Sequence, residues 1–387
     1  MKGRKPVLSI SKSQVTHGNR AIAPDIRTIK FATQRFGESP YPSIKKRMIQ
    51  TGLEQSHPAL PTAETAEMNT ILIIALLIIA FFVSLHLWTR KLTADGQKRV
   101  PQLGVVTPVS GGSIHFVERG DPSKQTIVLI HGLTGQLQHF TYALVDMLVD
   151  DYHVIAVDRP GCGYSTRDTS DLGQLPEQAR MIQELLDSKG ISDAVLVGHS
   201  LGGAIALAMA LDYPEKTKAL ALLAPLTQKL PSTPQVFKPL EIRTEWLRSL
   251  IGNTLAVPLA AKTAPHTLGI VFAPEPAPAD FLDRAGGALG LRPSAFITGA
   301  QDVAGIDASL ETQMARYKEL TVPGGILYGA QDAILSPEAQ GEPMARFGLP
   351  LERIEGAGHM ILITKPGACA AFIRRIAKAI PAQPEAV

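Results

Sequence analysis

The longest apolar stretch of the chain runs from Ile71 to Val83 and continues through Ser84, Leu85, His86 and Leu87 to Trp88, without one Asp, Glu, Lys or Arg. Eighteen helical residues at about 1.5 Å each reach about 27 Å, close to the ~30 Å hydrocarbon core of a bilayer. The run is apolar on every face, which argues against a core helix with one polar side. Trp88, Arg90 and Lys91 then form the expected interfacial ending. Residues 68–91 are therefore expected to form a transmembrane helix. A cleaved signal peptide fits less well, because no Lys or Arg precedes the run within twenty residues and no Ala-x-Ala site follows. Residues 1–67 are polar, dotted with Pro, Ser and Thr, and lack apolar periodicity. They read as a disordered basic tail, or as sequence upstream of a true start at Met68. A targeting peptide is a weaker alternative, because the amphipathic pattern is poor.

From residue 101 the texture changes. Short apolar or alternating runs at 113–118, 126–130, 153–157, 194–197, 219–224 and 325–328 read as strands, several of them buried on both faces. Helical patterns at 140–148 and 178–186 lie between them. This alternation predicts an α/β fold with a mostly parallel sheet and helices on both faces. Residues 227–316 break it with nine prolines, among them Pro258 and Pro265, and with helical stretches near 241–251 and 308–320. A segment of that length is expected to be an inserted helical subdomain rather than a loop.

Composition changes the picture in two places. The net charge of +3 over 387 residues is the sum of two unlike parts. Residues 1–67 hold 11 basic and 5 acidic residues; the remainder holds 27 basic and 30 acidic. The body is thus mildly acidic and, with aromatics at 5%, gives no reason to expect a nucleic-acid partner. Two cysteines exclude a disulfide framework and a Cys-rich zinc domain. The side of the membrane stays open. Arg90, Lys91, Lys98 and Arg99 favour a cytoplasmic C-terminal side, whereas the 11 basic residues of the tail favour the reverse.

The chemistry centres on Gly198-His199-Ser200-Leu201-Gly202-Gly203, which follows a Val-rich strand and opens an Ala-rich helical run. This is G-x-S-x-G in the strand–turn–helix context that exposes a nucleophilic serine. A serine hydroxyl needs a base, and the base needs an orienting acid. Asp332, in a turn after the strand at 325–328, and His359, in Gly356-Ala357-Gly358-His359, follow Ser200 in that order. His266 is the one other histidine beyond Ser200, and it lies in the Pro-rich insert. Asp302 competes with Asp332, but no strand of similar quality precedes it. Oxyanion donors are expected from the backbone N–H of Leu201 and of Leu133, the latter in His131-Gly132-Leu133-Thr134-Gly135. Gly132, Gly198 and Gly202 are expected to support these loops. His131 is read as a bracing residue, the Asp158–Ser165 turn as stabilising, and Cys162 as incidental. No dinucleotide, phosphate-loop or zinc motif occurs, so no cofactor or metal is expected.

Over residues 101–387 these motifs resemble the α/β-hydrolase superfamily, in its capped serine-hydrolase branch. The resemblance implies an eight-stranded, mostly parallel sheet, a helical cap at about 228–316 inserted after the sixth strand, and a Ser200–His359–Asp332 triad. Because the nucleophile is Ser rather than Asp, epoxide hydrolase and haloalkane dehalogenase chemistry is disfavoured. The loop reads His-Gly-Leu-Thr-Gly, without the Gly-Pro-Gly of ring-cleavage-product hydrolases. The expected activity is hydrolysis of a small-molecule or lipid-like ester by a membrane-held enzyme. The alternatives are the same triad applied to C–C bonds, amides or acyl transfer, and a non-catalytic receptor or scaffold.

Overall fold

The computed structural model describes residues 63–379; the tail reading for residues 1–62 lies outside them. The chain opens with α1 (Ala63–Arg99) and enters the sheet through β1 (Val105–Val109), β2 (Gly112–Arg119) and β3 (Thr126–Ile130). Two short helices, α2 (Gln138–Thr141) and α3 (Leu144–Leu148), precede β4 (His153–Val157) and a two-residue β5 (Thr166–Arg167). Then follow α4 (Leu175–Ser188), β6 (Ala194–His199), α5 (Leu201–Asp212) and β7 (Thr217–Leu223). The insertion contributes α6 (Glu245–Ile251), α7 (Val257–Phe272) and α8 (Pro293–Arg316). The chain closes with β8 (Gly324–Gly329), α9 (Pro337–Gln340), β9 (Leu351–Ile354), α10 (Ile361–Thr364) and α11 (Pro366–Lys378).

The strands lie in the order β1-β2-β4-β3-β6-β7-β8-β9, with β5 paired to β2 outside that path. All pairs from β4 through β9 are parallel, and β2 is antiparallel to β1, β4 and β5. The expected eight strands are thus present, and the β5 bridge makes a ninth. The sheet is buried by period-two alternation. Val128, Ile130, Ile155, Val157, Leu196, Leu220 and Leu222 face α4 and α5 in one cluster. Ile127, Leu129, Val154, Ala156, Val195, Val197 and Ala221 face α3 and α11 in the other.

Three elements differ from the sequence pattern. The 140–148 pattern is two helices, because Ala143 leaves the helical region at φ −155°. The helix expected from 308 begins at Pro293. The Pro-punctuated insert contains a sixteen-residue helix, α7, which tolerates Pro258 in its first turn and carries Pro265 inside it. A π-helical turn, Gly252–Ala256, joins α6 to α7. The boundaries 228–316 enclose all three inserted helices. The apolar run lies within α1, which starts before residue 68 and continues past Lys91 to Arg99. By length and hydropathy α1 could cross a membrane, and the stretch Glu245–Phe272 meets the same test.

Candidate active site

β6 is buried at all six positions and α5 at eleven of twelve, so the turn between them is held from both sides. Ser200 occupies that turn at φ 54°, ψ −120°, a conformation that L-residues rarely adopt. Three backbone hydrogen bonds fix it. Ser200 N–H donates to Leu223 O (3.1 Å), while Ser200 O accepts from Gly203 N–H and Leu226 N–H (2.9 Å each). Gly198 sits near the end of β6, and Gly202 lies in the first turn of α5. A Cβ on Gly202 would fall 2.1 Å from the Ile130 carbonyl, so only glycine lets the elbow press against the end of β3. Ser200 also stands at the N-terminus of α5, whose dipole favours negative charge there.

Asp332 follows β8, where its Oδ1 accepts from the N–H groups of Ile334 (2.8 Å) and Leu335 (2.9 Å). Its Oδ2 lies 2.7 Å from His359 Nδ1. With Nδ1–H donating to the carboxylate, His359 Nε2 is left as the acceptor. Both side chains are buried. His359 and Ser200 line the same cavity. Asp302 lies elsewhere. It is buried in α8, bonded to Arg159 Nη1 (2.9 Å) and Arg167 Nη1 (2.8 Å), and serves as their counter-ion.

The loop after β3 is organised around one carbonyl. Gly132 O accepts from His131 Nδ1 (2.8 Å), Arg159 Nη2 (3.1 Å) and Gly135 N–H (3.1 Å). The Gly132–Leu133 peptide is trans, so fixing this carbonyl fixes the Leu133 N–H in the opposite direction. Leu133 and Leu201 both border the space at Ser200. As the first residue of α5, Leu201 has an N–H without an intrahelical acceptor. His131 Nε2 accepts from Arg159 N–H (2.9 Å), which assigns the proton to Nδ1. Burial, and then Arg159, holds His131 well below its ordinary pKa, so it braces the loop as a neutral ring. Asp158 accepts from Leu137 N–H (2.7 Å) and Tyr164 N–H (2.8 Å) and lies 2.7 Å from His115 Nδ1. Burial raises the Cys162 thiol to about 11, leaving it unreactive at neutral pH.

Two further side chains support the site: His199, at a variable position of the serine motif, and Glu275, outside any motif. His199 Nε2–H donates to the His359 carbonyl (3.0 Å), and the two rings lie 4.9 Å apart. Burial, and then the neighbouring His359, holds His199 well below its ordinary pKa. Glu275 follows α7 and accepts from Gly358 N–H (3.3 Å) and Thr364 Oγ1–H (2.8 Å), with Lys365 Nζ 2.9 Å away. It thereby ties the insert to the His359 loop.

Ser200 stands where two cavities meet. The larger, of about 490 Å³, is walled by apolar side chains of the insert, including Leu255, Leu259, Leu268, Val271 and Phe296. His139 on its wall is lowered to about 4 by burial, so that ring is neutral at neutral pH. The smaller, of about 240 Å³, carries Lys229, Ser232, Glu241 and Asp307. Leu133, Ser200 and Phe237 border both.

The family model for the alpha/beta hydrolase fold matches residues 125–366. Lipase 1 of Psychrobacter immobilis is 34% identical over 119 residues, 30% of this chain and 37% of that protein. The acetyltransferase component of the acetoin cleaving system of Cupriavidus necator is 34% identical over 118 residues, 30% of this chain and 31% of that protein. The chain thus spans about a third of the length of these curated relatives. Among solved structures, a putative lipase from Acinetobacter baumannii superposes with a TM-score of 0.56 at 22% identity, covering 75% of this chain and 96% of that one. The enol-lactonase of Burkholderia xenovorans gives 0.57 at 20%, covering 71% and 100%. These structures share the fold.

Proposed function

Since this chain belongs to the α/β-hydrolase fold family, whose members include lipases and esterases, we propose that it is a membrane-anchored serine hydrolase that cleaves carboxylic esters of hydrophobic acids or alcohols. The observation that carries this reading is the strained Ser200 on the same cavity as an Asp332-bonded His359.

Ser200 Oγ attacks the acyl carbon while its proton passes to His359 Nε2. Asp332 holds the ring in the required tautomer and stabilises the imidazolium. The N–H groups of Leu133 and Leu201 receive the oxyanion. The tetrahedral intermediate collapses, the alcohol leaves with the proton from His359, and the acyl group remains on Ser200. Water, deprotonated by His359, then releases the acid. The two cavities suggest a division of the substrate. The large apolar one suits an acyl or alkyl chain, and its volume falls in the ~300–1,000 Å³ range of small-molecule sites. The smaller polar one suits the other side of the ester. The apolar run of α1, exposed along its length, supports the membrane anchor.

The test is turnover of p-nitrophenyl esters of increasing chain length by the full chain in detergent. Turnover that vanishes in Ser200→Ala supports the reading. A wild type that turns over no ester of any length contradicts it.

A further inference from the structure

The C-terminal part of α1 is docked on the insert by one face. His86 Nδ1–H donates to Asn253 O (3.0 Å), Thr89 Oγ1–H to Thr254 O (2.9 Å) and Thr93 Oγ1–H to Leu291 O (3.5 Å). Gly96 packs so closely that a Cβ would fall 2.6 Å from Ala288 O. The spacing 86, 89, 93, 96 is one stripe of a helix. Thr89 is 1% exposed, whereas Ile71 and Leu77, further toward the N-terminus, are 69% and 65% exposed. The apolar run therefore leaves the protein body at the level of Asn253 and Thr254. Trp88, Arg90 and Lys91 mark the same level as a membrane–water interface.

At that level the insert shows an apolar surface of its own. Trp246, Leu250, Leu255 and Leu259 are among the exposed large hydrophobic residues of the described chain outside α1. Trp246 and Leu250 lie one turn apart, as do Leu255 and Leu259. Leu255 lies in the π-helical turn that receives His86 and Thr89, and Trp246, Leu250 and Leu259 flank it. Leu255 and Leu259 also line the 490 Å³ cavity, so its rim lies on this surface. The stretch Glu245–Phe272 is apolar enough to span a bilayer, yet it is part of the insert, 22% of its most apolar window is buried, and it holds Pro258 and Pro265. Its attachment to the insert leaves one exposed apolar side, formed by Trp246, Leu250, Leu255 and Leu259, for contact with a bilayer.

We propose that the α6–α7 surface rests in the bilayer beside the anchor, and that the acyl chain of a bilayer-resident ester passes between Leu255 and Leu259 into the cavity without crossing water. The occupant of this surface is the lipid bilayer, chosen because the patch is continuous with the membrane-length run of α1. The substrate part of the proposal rests on the ester hydrolase reading; the membrane contact rests on α1 as the anchor.

The test separates the two. The full chain is placed in phosphatidylcholine vesicles brominated on the acyl chains near the headgroup. The sequence has two tryptophans, so Trp88→Phe leaves Trp246 as the reporter. The expected result is strong quenching of Trp246 relative to unbrominated vesicles. Unquenched emission from protein that co-floats with the vesicles overturns the proposal, as it would if a second copy of the chain covered this face. In a second arm, Trp246→Glu combined with Leu250→Glu is expected to leave turnover of p-nitrophenyl acetate unchanged. Turnover of a long-chain ester dissolved in the vesicles is expected to fall about tenfold, because charge opposes seating of the rim in the interface. Equal turnover of the vesicle-borne ester by both proteins overturns the entry route. Quenching without turnover of any ester keeps the membrane contact and overturns the ester chemistry.

Discussion

Asp332 is satisfied on both oxygens, by two backbone N–H groups on one and by His359 on the other. That arrangement makes it a fixed acceptor, and the tautomer of His359 depends on it. Asp332→Asn is expected to keep the fold and KM but lower kcat about 10,000-fold, because the amide favours the wrong tautomer of His359. Steady-state kinetics with far-ultraviolet circular dichroism checks this; a loss of less than tenfold would remove Asp332 from the proposed role. Ser200, Asp332 and His359 are legible in the sequence because each stands in a glycine-flanked turn beside a strand, in the order the fold demands. The contacts of His199, Arg159 and Glu275 are not, although His199 stands in the serine motif and Arg159 in the Asp158–Ser165 turn. Their partners are carbonyls, amides and carboxylates from distant segments, and no local pattern encodes such a partner.

The elements around the site are held by two polar ties. Arg159 bridges the Gly132 carbonyl to Asp302 of α8, in an ion network buried from solvent. Removing one member strands the others without a counter-charge. Asp302→Asn should therefore lower global stability by about 3–5 kcal/mol, measured by urea unfolding; a change below about 1 kcal/mol, the range of exposed pairs, would contradict the tie. Glu275 is the second tie. Burial alone would raise its pKa, but Lys365, Thr364 and the Gly358 N–H outweigh this and hold it below the ordinary 4.5. A lowered carboxylate stabilises the fold above its ordinary pKa, and that contribution is lost as pH falls through the lowered value. The wild type should melt above Glu275→Gln at pH 7, with the gap closing well below pH 4.5. A gap unchanged down to pH 3 would exclude the charged form as the cause. Most elements were readable from periodicity, and β3 and β4 match to the residue. α7 was hidden, because a proline inside a helix costs about 3 kcal/mol and reads as a break. The docking of α1 was hidden too, because the partners of His86, Thr89 and Thr93 are backbone carbonyls of the distant Asn253, Thr254 and Leu291, which no local pattern encodes.

At the scale of the molecule, an apolar helix is bonded to the insert, the insert roofs the apolar cavity, and the cavity ends at Ser200. Anchor, roof and nucleophile form one line of contacts. The net charge of +3 plays no part in it, since the described body and its sheet belong to the mildly acidic remainder of the chain. Every link in that line has a purpose only if Ser200 is an activated nucleophile. The most direct measurement is covalent labelling of the folded full chain with a fluorophosphonate, followed by peptide mapping. The account predicts one adduct, on Ser200, absent from Ser200→Ala and strongly slowed in His359→Ala. A folded protein that takes no label, or takes it equally after Ser200→Ala, would contradict it.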